Sequence, residues 1–201
     1  MPSAPSDQTA ARRAAILRAA AAVFLRYGYK KTSMDDLARE AGLSRQGLYL
    51  HFAKKEAIFH DSVVLLADHS LQAARAALAC EGRTIEARLL DAFTGLVSNV
   101  DGSPMSREHL VELTTTAAAL AGPVVAAFDE AWLDALARAL RASGVAAEWK
   151  AASLSAKALA RHLVVASRGI KQSARTDAEY REQMQVAVRL VCRGHGGTAA
   201  G

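Results

Sequence analysis

Residues 37–56 read Leu37-Ala38-Arg39-Glu40-Ala41-Gly42-Leu43-Ser44-Arg45-Gln46-Gly47-Leu48-Tyr49-Leu50-His51-Phe52-Ala53-Lys54-Lys55-Glu56. Two short helices locked at a steep angle make steric demands, and this stretch meets them in order. Leu37 anchors the first helix to a core, and Ala38 is small where the second helix must approach. Gly42 supplies the turn, and Leu43 and Leu48 plug the gap between the helices. The second helix, 45–51 with Ser44 as its cap, is then free to present its N-terminal polar residues to a major groove.

Outward from this motif the pattern stays helical. Ile16, Leu17, Ala20, Val23, Phe24 and Tyr27 fall at three- and four-residue steps, so a helix is expected from Thr9, ended by Gly28 at a left-handed position. Thr32-Ser33-Met34-Asp35-Asp36 reads as an N-cap followed by acids in the first turn, where they suit the helix dipole. A long fourth helix is expected over 54–79. Five more follow, near 84–99, 104–120, 123–143, 153–173 and 177–193, with Pro104 and Pro123 in first turns and a capping box at Thr176-Asp177-Ala178-Glu179. No segment alternates at period two. The expectation is an all-α fold of about nine helices. A three-helix helix-turn-helix domain over 9–55 is joined by the long helix to a larger helical domain over 56–193, with disordered tails at 1–8 and 194–201.

Charge separates the two parts. Residues 1–60 hold ten Lys/Arg and five Asp/Glu, whereas the remainder holds fifteen of each, so the whole net charge of +5 lies in the N-terminal third. A localised positive field beside a neutral body suits a polyanion partner. Cys80 and Cys192 show neither metal nor redox spacing and read as buried free thiols. The most apolar stretch, 114–128, is shorter than the roughly 20 residues a spanning helix needs. With no signal-peptide pattern at the start, the chain is expected to be soluble and cytoplasmic. Enzyme chemistry has no foothold: there is no Gly-rich phosphate loop and no Gly-x-Ser-x-Gly elbow. His60 and His69 lie on opposite helix faces, and His109 with Glu112 makes only one i, i+3 pair. No catalytic residue, metal or cofactor is expected.

From Phe24 through Tyr27-Gly28-Tyr29 and on to Ile58-Phe59, the run resembles the DNA-binding region of TetR-family regulators, most densely between Gly42 and Glu56. That resemblance implies a repressor that binds a palindromic double-stranded operator as a homodimer and is released by a small-molecule effector. It implies that Ser44, Arg45, Gln46 and Gly47 open the recognition helix, Arg45 reaching guanine and Gln46 adenine. Tyr49, His51, Thr32 or Ser33, Lys55 and its companion Lys54 would touch phosphates. Gln46-Gly47 departs from many relatives, which carry glycine one position earlier, so the operator sequence stays open.

The resemblance further implies dimerisation through the last two long helices, with Leu159, Leu163, Ala166 and Ile170 on one and Tyr180, Met184, Ala187, Val188 and Val191 on the other. An effector site would lie among helices five to eight. Phe93, Met105, His109, Phe128 and Trp132 are its larger side chains, Glu112 and Arg138 its polar ones, and the run 114–121 leaves room for an apolar compound. The rival reading is a helix-turn-helix nucleoid or protein-interaction factor with no small-molecule effector.

Overall fold

The computed structural model describes residues 5–96 and 107–193, and every regular element among them is helical. In chain order these are α1 Pro5–Tyr27, α2 Met34–Glu40, α3 Arg45–Tyr49, α4 Lys55–Ala79, α5 Ile85–Gly95, α6 Arg107–Ala142, α7 Val145–Glu148, a 3-10 turn Lys150–Ala152, α8 Ala156–Ser173 and α9 Asp177–Arg193. The chain divides into two compact units, Met1–His69 with Asn99–Ala126, and Ser70–Ser98 with Ala127–Gly201. This division differs from a boundary at 55/56 because Leu113, Ala117 and Leu120 of α6 pack on the core of the first helices.

In the first unit α1 contributes Ile16, Leu17, Ala20, Val23 and Phe24 to the core. They meet Leu37 and Ala38 of α2, Leu48 of α3, Phe52, and Ile58 and Phe59 of α4. Burying Ile16, Leu37, Leu48 and Ile58 stabilises by roughly 1.5–3 kcal/mol each, against about 1 kcal/mol for a good cap. Packing therefore holds helices as short as α2 and α3, while caps set where they start. Phe24, Tyr29 and Phe59 form a ring cluster with centroids 5.0–5.8 Å apart.

In the second unit Leu89 and Phe93 of α5, Trp132, Leu136 and Leu140 of α6, Leu159 and Leu163 of α8, and Tyr180, Met184 and Val188 of α9 share one core. The polar ends of its large aromatics are satisfied: the Tyr180 hydroxyl bonds Ser167 at 2.8 Å, and the Trp149 indole N–H donates to the Val191 carbonyl at 2.8 Å.

Several expectations are corrected. Helix α1 begins at Pro5, not Thr9, since proline at a first helical position gives up no bonded N–H; residues 1–4 and 194–201 lie outside the described residues. The break expected before Pro123 is present: at Ala121 the backbone leaves helical geometry (φ −137°, ψ 30°), so α6 is two helices that meet at a kink, with Pro123 in the first turn of the second. By length and composition alone, Val111–Ala142 could cross a membrane, yet beyond the kink Trp132, Leu136 and Leu140 are buried in the unit's core. Helix α3 stops at Tyr49, and α8 starts at Ala156 behind a Ser155 cap. Thr176 accepts the Glu179 N–H at 3.1 Å, while the Glu179 carboxylate reaches one residue further back, to the Arg175 N–H at 2.9 Å. Cys80 is exposed, and only Cys192 is buried.

Candidate nucleic-acid interface

The turn between α2 and α3 is fixed by backbone chemistry. Gly42 takes φ +64°, its N–H donates to Arg39 O at 3.1 Å, and the Leu43 N–H donates to Ala38 O at 2.9 Å. This pair of bonds satisfies the last carbonyls of α2 and reverses the chain. Ser44 then caps α3, its hydroxyl accepting the Gly47 N–H at 3.0 Å. A Cβ on Gly47 would sit 3.2 Å from that hydroxyl, so position 47 shapes the cap before it can read a base. Leu48 is fully buried, whereas Arg45, Gln46 and Tyr49 are exposed on the outward face.

Arg45 is held from two sides. Its Nη1 donates to Asp35 Oδ2 at 2.9 Å, and its guanidinium lies 5.7 Å from the Tyr49 ring centroid. The Tyr49 hydrogen bond first, then the Asp35 charge, push its pKa up. The adjacent acid has a different task. Asp36 accepts the Ser33 N–H at 3.0 Å and its hydroxyl at 2.6 Å, completing the α2 capping box, and takes Arg39 at 2.5 Å. The Ser33 bonds, then Arg39, hold its carboxyl below the usual range.

Three residues expected to touch phosphates are turned elsewhere. Thr32 is buried, 3% exposed, with its hydroxyl donating to Gly28 O at 2.6 Å. Ser33 spends its hydroxyl on the α2 cap. Lys55 is half-buried, donates to Tyr29 O at 3.0 Å and Thr32 O at 2.8 Å, and lies 4.3 Å from the Tyr29 ring centroid. Its ammonium clamps the α1–α2 turn onto α4 because two carbonyls converge there. Lys54 is exposed one residue before α4. His51 is half-buried, and its carbonyl accepts Arg13 Nη1 at 3.2 Å. Arg13 also pairs with Asp61 at 2.5 Å and covers the Phe52 ring, tying α1 to the chain after α3. Sequence reasoning missed Asp35 and the exposed pair Lys30 and Lys31 just before α2. The two lysines were readable as a charged turn; the Asp35 contact has no sequence signal.

Residues 16–61 match the family described as bacterial regulatory proteins, tetR family. The N-terminal domain is of the TetR type. Over 61 residues it is 41% identical to the HTH-type transcriptional regulator YfiR of Bacillus subtilis, covering 30% of each chain. It is 31% identical over 86 residues to the HTH-type transcriptional repressor ComR of Escherichia coli, 43% of this chain and 41% of ComR. The match thus spans less than half the length of these curated relatives. A solved transcriptional regulator from Pseudomonas aeruginosa PAO1 shares the fold across 94% of this chain and 92% of its own, with a TM-score of 0.70 at 19% identity.

Behind the TetR-type domain, the expected effector residues fall into both units. Phe93 and Trp132 meet edge-on at 5.2 Å inside the second core, and both are buried there; Phe128 packs against the same core. His109 and Glu112 belong to the first unit, and Met105 lies outside the described residues. Glu112 is corrected: its carboxylate accepts the Lys30 backbone N–H at 2.6 Å and so is spent on the TetR-type domain.

The expected dimer stripe is corrected too. Leu159, Leu163, Tyr180, Met184, Val188 and Val191 are buried in their own subunit's core, and Ala166, Ile170 and Ala187 are half-buried. The most apolar face of each helix packs within the subunit. The opposite faces leave Val165, Val186 and Leu190 exposed at 60%, 55% and 64%.

Proposed function

We propose that the chain is a cytoplasmic transcriptional repressor that binds a palindromic DNA operator as a homodimer. The observation that carries this reading is the Ser44-capped helix α3, with Leu48 buried beneath it and Arg45, Gln46 and Tyr49 outward, inside a stretch that matches the TetR family. An arginine and a glutamine side by side at the start of an exposed helix suit guanine and adenine edges. Lys30, Lys31 and Lys54 supply exposed cations for phosphates nearby in sequence. ComR, similar over the N-terminal part, is described as a repressor.

Dimerisation uses the outward faces of α8 and α9, where Val165, Val186 and Leu190 stand exposed. Large apolar side chains exposed on two helices that pack on each other suit a partner surface. Release comes from a small apolar effector that favours the form unable to bind DNA.

The test is selection of bound sequences from random DNA. An enriched motif with inverted half-sites about 10 base pairs apart, or a multiple of that, is the expected result. A pool that stays random, with binding that varies only with salt, defeats the operator reading.

A further inference from the structure

Two acids stand together in the first turn of α2, where both suit the helix dipole, but only one makes the cap. Asp36 makes the capping box and takes Arg39. Asp35 reaches across ten residues to Arg45, the first residue of α3. Both partners of this ion pair are more than half exposed, and exposed pairs add little to stability. A carboxylate beside a surface that approaches phosphates also repels every DNA sequence alike. The helix dipole favours an acid at position 35, but neither it nor general affinity accounts for the reach to Arg45.

Orientation does account for it. A guanidinium on a surface samples many rotamers, and its planar fork reads guanine O6 and N7 only when turned edge-on. Asp35 engages Nη1 at 2.9 Å, and the Tyr49 ring lies against the same group one helical turn on. The ion pair does not use the edge of the fork formed by Nη2 and Nε. Fixing that edge before contact removes an ordering cost at the moment of binding. The same carboxylate weakens attachment to unrelated DNA, which widens the ratio of specific to non-specific affinity.

We propose that Asp35 is a specificity-determining positioning residue, holding Arg45 in the one orientation that reads its base pair. This rests on the DNA-binding reading given above. The experiment compares wild type with Asp35→Ala, Asp35→Asn, Arg45→Ala and the Asp35→Ala/Arg45→Ala double variant, using the full chain. Each is measured against the selected operator, its single-base variants and an unrelated duplex at one fixed salt concentration.

Arg45→Ala is expected to lose preference at one base pair in each half-site. Asp35→Ala should lower preference at that same base pair about tenfold while binding the unrelated duplex more tightly. Asp35→Asn, which keeps an acceptor oxygen, should lose less. In the Arg45→Ala background, Asp35→Ala should change nothing at that position. An Asp35→Ala preference within twofold of wild type, or an equal loss with Arg45 already absent, overturns the proposal. A wild-type protein that enriches no sequence overturns the operator reading instead, so the two failures are distinct.

Discussion

The carboxylate of Glu112 accepts the Lys30 backbone N–H through Oε1 at 2.6 Å, while its Oε2 lies 2.6 Å from where a Cβ on Gly28 would sit. Gly28 itself holds φ +81° and closes α1 through its N–H to Phe24 O at 2.9 Å. One glycine thus answers to a left-handed backbone and to a carboxylate from α6, far away in sequence.

Gly28→Ala should therefore be doubly destabilising: about 1–2 kcal/mol for the left-handed backbone, plus displacement of Glu112. Glu112→Ala should cost about 1 kcal/mol for the lost hydrogen bond. Combined, they should fall short of the sum, because removing the carboxylate makes room for the new methyl. Chemical denaturation of the four proteins measures this coupling; strict additivity would show that the close approach does not matter.

Lys54 and Lys55 are neighbours with opposite expected signatures. Lys54→Ala should weaken binding to all DNA and lower the salt slope by about one. Lys55→Met should leave that slope intact but lower the melting temperature of the TetR-type domain, since Tyr29 O and Thr32 O lose their donor. Affinity titrations across salt concentrations, paired with thermal melts, separate the two effects.

Acid should loosen the α2 cap. Asp36 has a folded pKa depressed below 3.8, chiefly by Ser33 and then by Arg39. Its stabilising contribution is fully present above about 3.8 and is lost as pH falls through the lower folded value. Asp36→Asn should therefore flatten the acid limb of a stability–pH profile while lowering stability at neutral pH. An unchanged acid limb would show that the carboxylate is not what titrates.

On the dimer, Val165→Glu with Leu190→Glu should yield a folded monomer by light scattering, because both residues are exposed within the subunit. Leu163→Glu should instead unfold the chain, placing a charge in the core. A Val165/Leu190 variant that stays dimeric would move the interface away from these helices.

What the sequence disclosed follows the range of the forces involved. The helix-turn-helix was legible because its demands are local: a positive φ at Gly42, a hydroxyl cap at Ser44, and a buried Leu48 four residues beyond that cap. The carbonyl partners of Thr32 and Lys55 were not legible, because a hydroxyl and an ammonium suit a phosphate or a carbonyl equally well. Only the folded turn at Gly28–Thr32 brings the carbonyls within reach. The stripes on α8 and α9 were real, but periodicity reports that a face is apolar and not which neighbour covers it. Val165, Val186 and Leu190 lie off those stripes and are exposed. Pro123, by contrast, marks a first turn by a local rule, and the backbone does leave helical geometry two residues before it, at Ala121.

The division of labour within α3 also bears on how such a protein changes its targets. Ser44, Gly47 and Leu48 are fixed by the cap, by the 3.2 Å approach at position 47 and by the core. Drift in sequence preference is thereby funnelled through Arg45 and Gln46, with Asp35 as its modifier. A lineage of these proteins can acquire new binding sites by substitutions at those three surface positions and leave its folding untouched.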